Sequence, residues 1–191
     1  MAPFFSHKLL LASQSPRRQQ LLRDSGFELE LIKIDVEEDF PETLVAEQIP
    51  LYLAEKKGKA YNGIIKDNEL LVTADTVVWL KDQVLNKPAD LDDAFDMLKR
   101  LSGHKHTVYT GVSVRSANKQ ISFYEASDVF FNTLSDDMIR YYLDNHQPLD
   151  KAGAYGIQEF IGYVGIRKID GCYYNVMGFP VSRFIHEIQH L

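Results

Sequence analysis

The stretch Leu70–Leu80 constrains the fold more than any other part of this 191-residue chain, because it is rich in valine and threonine, which favour β-strands. Apolar residues at helical spacing precede it within Leu44–Tyr61 and follow it within Ala94–Leu101. Two further strand-like segments, Thr107–Val114 and Ile121–Phe131, come next along the chain. Since strands and helices alternate unevenly, the sequence predicts an α/β fold with a mixed sheet rather than a purely parallel, doubly wound one.

Shorter elements are predicted on both sides of this central part. Before it, the sequence predicts a strand at Lys8–Ala12, then a helix with Ser15 as its cap, Pro16 at its first position and Gly26 at its end. A strand at Glu28–Ile34 follows that helix. After the central part, the sequence predicts a helix at Ser135–Asn145, a hairpin turning at Asp170 and Gly171, and a last helix near Pro180. Pro50 is expected to interrupt or kink the helix within Leu44–Tyr61. Because no linker-like change of composition separates two halves, we predict one domain over residues 1–191, with two lobes around a cleft.

The charge and cysteine content exclude several classes of protein. The formal net charge is −6, so the chain as a whole repels nucleic acid and anionic membranes. Cys172 is the only cysteine, which rules out an intrachain disulfide. Met1–Leu11 lacks a small-residue cleavage site and is predicted to contain the first strand, and no apolar run reaches the roughly 18 residues of a membrane helix. We therefore expect a cytoplasmic protein without stable nucleic-acid or membrane partners.

The segment Ser13-Gln14-Ser15-Pro16-Arg17-Arg18 joins the first strand to the first helix. Two arginines in a first helical turn oppose the helix dipole, which favours negative charge there. The arrangement suits an anion site, in which free backbone N–H groups, the dipole and both guanidinium groups converge on phosphate oxygens. A solvated basic pair is the equally simple alternative.

Asp75 interrupts the apolar run Val72–Val78. A carboxylate inside a buried strand carries a large desolvation penalty unless it is paired, hydrogen-bonded or bound to a metal. Such groups are often functional because their pKa can be tuned. The alternatives are a strand end or bulge that faces water, or a structural partner for a lysine.

Other charged residues and one glycine-rich segment are weaker candidates. Lys57 and Lys87 could bind phosphate, and Glu37 and Glu38 could ligate a hard divalent cation, although each alone is more simply a solvated surface charge. The segment Pro148–Gln158 contains two glycines, which allow close approach to a ligand. Its last residue offers an amide that can pair with a nucleobase edge, and a loop without any ligand is the alternative.

Two histidines and the absent motifs limit the possible mechanisms. His104 and His106 flank Lys105 without a third metal ligand nearby, so surface and structural roles are favoured. Cys172 is interpreted as a small core residue. The sequence has no Walker-type phosphate loop, no G-x-S-x-G and no H-E-x-x-H, which disfavours the mechanisms that depend on them.

Taken in order, these segments resemble the Maf family of nucleotide pyrophosphatases, also called septum-formation proteins. The matching pieces are Leu11-Ala12-Ser13, Ser15-Pro16-Arg17-Arg18, Glu37-Glu38, Leu53-Ala54 with Lys57, Ala74-Asp75-Thr76-Val77-Val78, Lys87-Pro88, Leu101-Ser102-Gly103 with His106, Thr110-Gly111-Val112, Asp150 through Gln158, and Tyr174 through Pro180. They cover the chain almost from end to end. The departures are Gln14, Lys56, Gly58 and Phe179, none of which removes a proposed catalytic group.

The resemblance implies a Maf/ITPase-like α/β fold, with a curved mixed β-sheet flanked by helices, two lobes around a cleft, and frequent homodimers. It implies hydrolysis of the α–β phosphoanhydride of a nucleoside triphosphate with a divalent cation, Mg, Mn or Co. The end of the Asp150–Gln158 segment resembles the subgroup that acts on dTTP and UTP, a house-cleaning activity that extends to modified pyrimidine nucleotides.

The resemblance also assigns roles to single residues. Asp75 falls on the position of the family's proposed general base, and Ser13 and Glu38 fall on other cleft positions. As a hypothesis, Glu38 and Asp75 hold the cation, which leaves both roles of Asp75, base and metal ligand, open. Phosphate-binding positions fall on Ser13, Arg17, Arg18, Lys57 and Lys87, and positions tied to substrate choice on Arg17, Thr76 and Gln158. A non-catalytic, nucleotide-binding regulator of septum formation is the rival expectation, and a complete set of acidic and basic site residues speaks against it.

Overall fold

A seven-stranded mixed sheet is the framework of the computed structural model, which describes residues 6–189 and residue 191. The strands are β1 (Lys8–Leu11), β2 (Leu29–Leu31), β3 (Glu69–Leu80), β4 (Gln83–Leu85), β5 (Lys105–Arg115), β6 (Gln120–Phe131) and β7 (Ile166–Asp170). Their order is β2-β1-β3-β5-β6-β7, and β4 pairs with β3. Since β1 is parallel to β2 and β3 while β7 is antiparallel to β6, the predicted mixed α/β sheet is confirmed.

The helices lie between these strands in the chain. They are α1 (Pro16–Asp24), α2 (Gln48–Lys59), α3 (Leu91–Leu101), α4 (Asp136–His146), α5 (Phe160–Gly165), α6 (Tyr173–Val176) and α7 (Val181–Ile188), with a short 3-10 turn at Ala152–Ala154. Within the described residues, no helix has the length and apolar character needed to cross a membrane. The part of the predicted N-terminal segment before residue 6 lies outside the described residues.

The chain divides into two compact units. The first unit comprises the described residues of Met1–Asp75, Thr110–Glu125 and Gly178–Leu191, and the second comprises Thr76–Tyr109 and Ala126–Met177. Strands β3, β5 and β6 each contribute residues to both units. One domain over residues 1–191 and a cleft between two lobes stay predictions.

In the first unit, α1 begins and ends as the sequence predicts. The Ser15 hydroxyl accepts a hydrogen bond from the Arg18 backbone N–H, which satisfies one of the helix's unpaired donors. Pro16 opens the helix, where its missing N–H costs nothing. Gly26, at φ 92°, follows the end of the helix in the left-handed region.

Helix α2 is shorter than predicted and contains Pro50 without interruption. The helix begins at Gln48, so Pro50 lies in the first turn, where no intrahelical N–H donor is required. Opposite this turn, a Cβ on Gly111 of β5 would lie 2.4 Å from backbone atoms of Pro50 and Leu51. Glycine therefore permits the close contact between β5 and α2.

In the second unit, helices α3 and α4 contribute to a continuous apolar core that includes Leu98, Val129 and Phe131. Asp90 caps α3 by accepting from the Asp93 backbone N–H, and Ser135 caps α4 by accepting from that of Met138. These caps fix where the two helices begin. The predicted helices are thus confirmed.

The predicted hairpin at Asp170 and Gly171 is wrong. Asp170 ends β7, which pairs antiparallel with β6, and the short helix α6 follows it. A Cβ on Gly171 would lie within 2.7–2.9 Å of Ser127 atoms, and its φ of 131° suits glycine. The glycine therefore serves a close contact with β6 rather than a two-residue hairpin. The β3–β4 hairpin was missed because its turn residues, Lys81 and Asp82, adopt positive φ without glycine.

Candidate active site

Asp75 lies within β3, not at a strand end, and its side chain is largely buried. Lys57 Nζ donates to Asp75 Oδ1 at 2.7 Å, and it is the only hydrogen-bond partner of this carboxylate among the described residues. Burial raises the pKa of Asp75, while the charge and hydrogen bond of Lys57 lower it; burial wins. Two interpretations of Asp75 from the sequence therefore hold together: it is a buried acid within a strand, and it is also the partner of a lysine.

Lys57 connects two carboxylates from different parts of the first unit. Its Nζ lies 2.7 Å from Asp75 Oδ1 and 2.7 Å from Glu38 Oε1. Helix α2 supplies the lysine, and the loop between β2 and α2 supplies Glu38, whose side chain is about half exposed. The neighbouring Lys56 is bound to Asp39 instead. The structure therefore brings Glu38, Lys57 and Asp75 together, while their roles at a nucleotide site stay predictions.

Arg18 is buried and ties three segments of the first unit together. Its Nη1 donates to Ser13 Oγ at 2.8 Å and to the Ala74 carbonyl at 3.2 Å, and its Nε donates to the Gly178 carbonyl at 3.0 Å. Burial lowers its pKa to about 10, and the negative charge of Asp75 opposes the shift. A guanidinium in these contacts fixes the strand residue that precedes Asp75.

The loop between β1 and α1 is braced in the same way. The Ser13 hydroxyl accepts from the Ser15 backbone N–H at 3.3 Å, and the Ser13 carbonyl accepts from Gln19 Nε2 at 3.1 Å. Arg17 is only partly buried, and its charge acts on Arg18 by lowering the pKa of the latter. The two neighbouring arginines therefore have different surroundings.

The acidic residues of this site fit a divalent cation only in part. Glu38 and Asp75 provide hard carboxylate oxygens, which suit Mg and Mn. No group of three or more His, Cys, Asp or Glu residues within the described part of the chain could hold a metal by itself. Magnesium commonly uses one or two carboxylates together with water and substrate phosphates, so the donor set fits a cation that binds with a nucleotide.

The other predicted site residues, Thr76, Lys87 and Gln158, belong to the second unit. Lys87 is exposed, next to Asn86, whose carbonyl accepts from the Gly153 backbone N–H at 3.2 Å. Thr76 is partly buried. Gln158 lies in a turn, and its Oε1 is buried without a hydrogen-bond partner among the described residues. A buried amide oxygen without a hydrogen bond reduces the stability of the fold by about 1–3 kcal/mol. Such atoms are therefore uncommon except at functional or strained positions.

The histidines do not form a metal site. His106 is buried, its Nε2 lies 2.7 Å from the Tyr155 hydroxyl, and burial lowers its pKa to about 3. His104 precedes β5, is exposed and accepts from Lys81 Nζ at 2.9 Å. One is thus structural and the other on the surface, as predicted. Cys172 is half buried rather than a core residue.

The comparison with known proteins extends over nearly the whole chain. Residues 8–191 match the family described as Maf-like protein. The chain belongs to the Maf family. A relative named dTTP/UTP pyrophosphatase from Parabacteroides distasonis is 47% identical over 186 residues, covering 96% of this chain and 96% of the relative. Another protein of that name, from Phocaeicola vulgatus, is 48% identical over 186 residues, covering 97% and 96% of the two chains.

A solved structure supports the fold of this Maf protein. The Staphylococcus aureus Ham1 protein matches it with a TM-score of 0.51, covering 95% of this chain and 99% of that one. The identity is 13%, so the likeness concerns the fold alone. The expected mixed α/β architecture is confirmed by this match and by the sheet.

Proposed function

We propose that this Maf protein hydrolyses dTTP and UTP to the monophosphate and pyrophosphate. The observation that carries the proposal is the buried Asp75 carboxylate, which has one oxygen on Lys57 and lies in a charged cluster with Glu38. The activity in the names of relatives at 46–48% identity supports the same reaction. Modified pyrimidine nucleotides are further candidate substrates.

Asp75 accepts the proton of the attacking water in this proposal. Its raised pKa makes it a better base than an ordinary aspartate, because the ionised form is less stabilised. Lys57 holds Oδ1, so the proton would pass to Oδ2, which has no partner among the described residues. Arg18 holds the position of the backbone just before Asp75, because its guanidinium donates a hydrogen bond to the Ala74 carbonyl.

A divalent cation, Mg, Mn or Co, would supply charge neutralisation on the triphosphate when bound, and Glu38 would hold it. Asp75 is the alternative ligand, in place of its role as the base. Lys57 would exchange part of its contact with the two carboxylates for phosphate oxygens. Arg17, Lys87, Ser13 and Arg18 complete the proposed phosphate-binding set, and they stabilise negative charge on the leaving pyrophosphate.

Gln158 is proposed to select the base, together with Thr76 and Arg17. Uracil and thymine share a carbonyl and N–H edge that a glutamine amide can pair with. Gln158 Oε1 has no hydrogen-bond partner among the described residues, and this supports the role because a base N–H would supply the missing donor.

The test is hydrolysis of a panel of normal and modified triphosphates with Mg, Mn and Co, in which monophosphate and pyrophosphate are both measured. Asp75→Asn is expected to reduce turnover by at least about 10³-fold while nucleotide binding persists. Asp128→Asn is the matched control, because Asp128 is also an in-strand aspartate paired with a lysine, Lys105 at 2.8 Å. Retained pyrophosphate release by the Asp75 variant would refute the proposal, and release of orthophosphate would mean that another bond is cut.

A further inference from the structure

The turn that carries Gln158 is held by a buried polar network in the second unit. The Glu159 backbone N–H donates to the Gly156 carbonyl at 3.1 Å, which closes a four-residue turn with Gln158 at its third position. The Tyr163 hydroxyl donates to the Gln158 carbonyl at 2.7 Å. The backbone of the turn is therefore fixed on both sides of Gln158.

Tyr142 of α4 contacts both ends of this turn with a single hydroxyl group. The hydroxyl accepts from the Gly156 backbone N–H at 3.0 Å and donates to Glu159 Oε2. The ring is fully buried, and burial together with Glu159 raises the pKa of Tyr142, so the hydroxyl keeps its proton. A phenylalanine at this position would fill the same space without either bond.

Lys151 completes the network on the other oxygen of the same carboxylate. Its Nζ lies 3.3 Å from Glu159 Oε1 and 2.7 Å from Asp150 Oδ1, and the residue is buried. Both oxygens of Glu159 are thus in use, one by Lys151 and one by Tyr142. A Cβ on Gly156 would lie 2.7 Å from the Glu159 carboxyl carbon and 3.0 Å from Gln158 Nε2, so the turn and its side chains are closely packed.

We propose that Tyr142, Glu159 and Lys151 form a positioning network that fixes the Gln158 amide and thereby sets the choice of nucleobase. The inference rests on the proposed function, since it concerns the base contact of the same substrate. None of the three side chains needs to touch the nucleotide. They act because an amide selects between bases only when its donor and acceptor are held in one orientation.

The experiment compares Tyr142→Phe and Glu159→Gln with Tyr141→Phe as the matched control. Tyr141 is the neighbouring residue on α4, and its exposed ring packs on Phe160. The readouts are kcat and KM for dTTP, UTP and CTP, and hydrogen–deuterium exchange of residues 151–159. CTP is the comparator because cytosine exchanges the carbonyl and N–H edge for an amino group and an acceptor.

We expect both network variants to exchange faster at residues 156–159 and to lose roughly 10-fold in the preference for dTTP over CTP, mainly through KM. The control should match the wild type in both readouts. Gln158→Ala should lose the same preference without faster exchange at Gly156. If Tyr142→Phe does not fold, Glu159→Gln provides the same comparison.

Two results would overturn the proposal: unchanged exchange in a folded network variant, or faster exchange with an unchanged preference for dTTP. A purely structural role predicts the second of these, with a lower Tm alone. If the wild type hydrolyses none of the nucleotides, the proposed function fails, and the exchange data still decide whether the network holds the turn.

Discussion

Each of the two units places one lysine between two carboxylates, yet the two arrangements differ in what they leave available. Lys57 and Lys151 are 14% and 10% exposed, their buried acids Asp75 and Glu159 are 13% and 18% exposed, and their outer acids Glu38 and Asp150 are 47% and 54% exposed. The charge pattern is nearly the same in both units. The difference lies in the second oxygen of the buried acid.

Glu159 uses both of its oxygens, one for Lys151 and one for the Tyr142 hydroxyl. Asp75 uses Oδ1 for Lys57 and has no other hydrogen-bond partner among the described residues. A satisfied buried carboxylate stabilises a loop, whereas a partly satisfied one can still take a proton or a metal ion. The lysine–acid pair is common to both units, so the second carboxylate oxygen is what distinguishes Asp75, the proposed base, from Glu159, the proposed structural acid.

The largest difference between the two lysine–acid arrangements is expected in turnover. Lys57→Met should lower kcat by roughly 10²-fold, because it removes a cation from the proposed phosphate site and the only hydrogen-bond partner that Asp75 has among the described residues. Lys151→Met should leave kcat within about 3-fold, since its acid takes no part in the chemistry. Steady-state kinetics at saturating dTTP measure kcat for both variants. Equal losses of kcat would contradict the different roles of Lys57 and Lys151.

The next largest difference is expected in stability, where the Lys151 variant should lose more than the Lys57 variant. Lys151→Met leaves the Glu159 carboxylate buried with one partner fewer, which should reduce the free energy of unfolding by about 2–3 kcal/mol. Lys57→Met should cost less, because Asp75 can take a proton at modest cost when its pKa is already raised. Chemical denaturation at pH 7 measures both. A larger loss in the Lys57 variant would contradict the assignment of roles.

The smallest effect concerns pH. Because burial raises the pKa of Asp75 in the folded state, its contribution to stability is present at low pH and is lost as pH rises through the folded pKa. Asp75→Asn should therefore be more stable than the wild type at pH 7, with a difference that shrinks as the pH is lowered towards 4. The acid limb of kcat/KM should lie above the ordinary aspartate range for the same reason.

Thermal unfolding of the two proteins from pH 4 to 8, together with a pH profile of dTTP hydrolysis, tests this last prediction. Asp128→Asn is again the control, because burial raises the pKa of Asp128 but the hydrogen bonds that Lys105 and Thr107 donate to it, with the charge of Lys105, lower the pKa overall. That variant should lose stability at pH 7 and approach the wild type in acid. Parallel curves for the two variants would contradict the opposite pKa directions.

The sequence by itself predicted the elements whose signals are local. The start of α1 follows from Ser15 and Pro16, the start of α4 follows from Ser135, and β3 follows from its valines and threonines. The order of short motifs predicted the family, and the resemblance assigned Glu38, Lys57 and Asp75 to the same nucleotide site. Local propensity and motif order are properties of neighbouring residues, so they can be read without coordinates.

Which side chains have all of their hydrogen-bond partners, and which residues supply them, can be seen only in the folded structure. Tyr142 belongs to no site motif, and it meets Glu159 because α4 packs beside the turn at Gly156. Arg18 is buried against carbonyls of Ala74 and Gly178, far apart in sequence, although its neighbour Arg17 has the same charge. Hydrogen-bond saturation depends on atoms brought together by folding across many residues, and a single sequence carries no local signal for it.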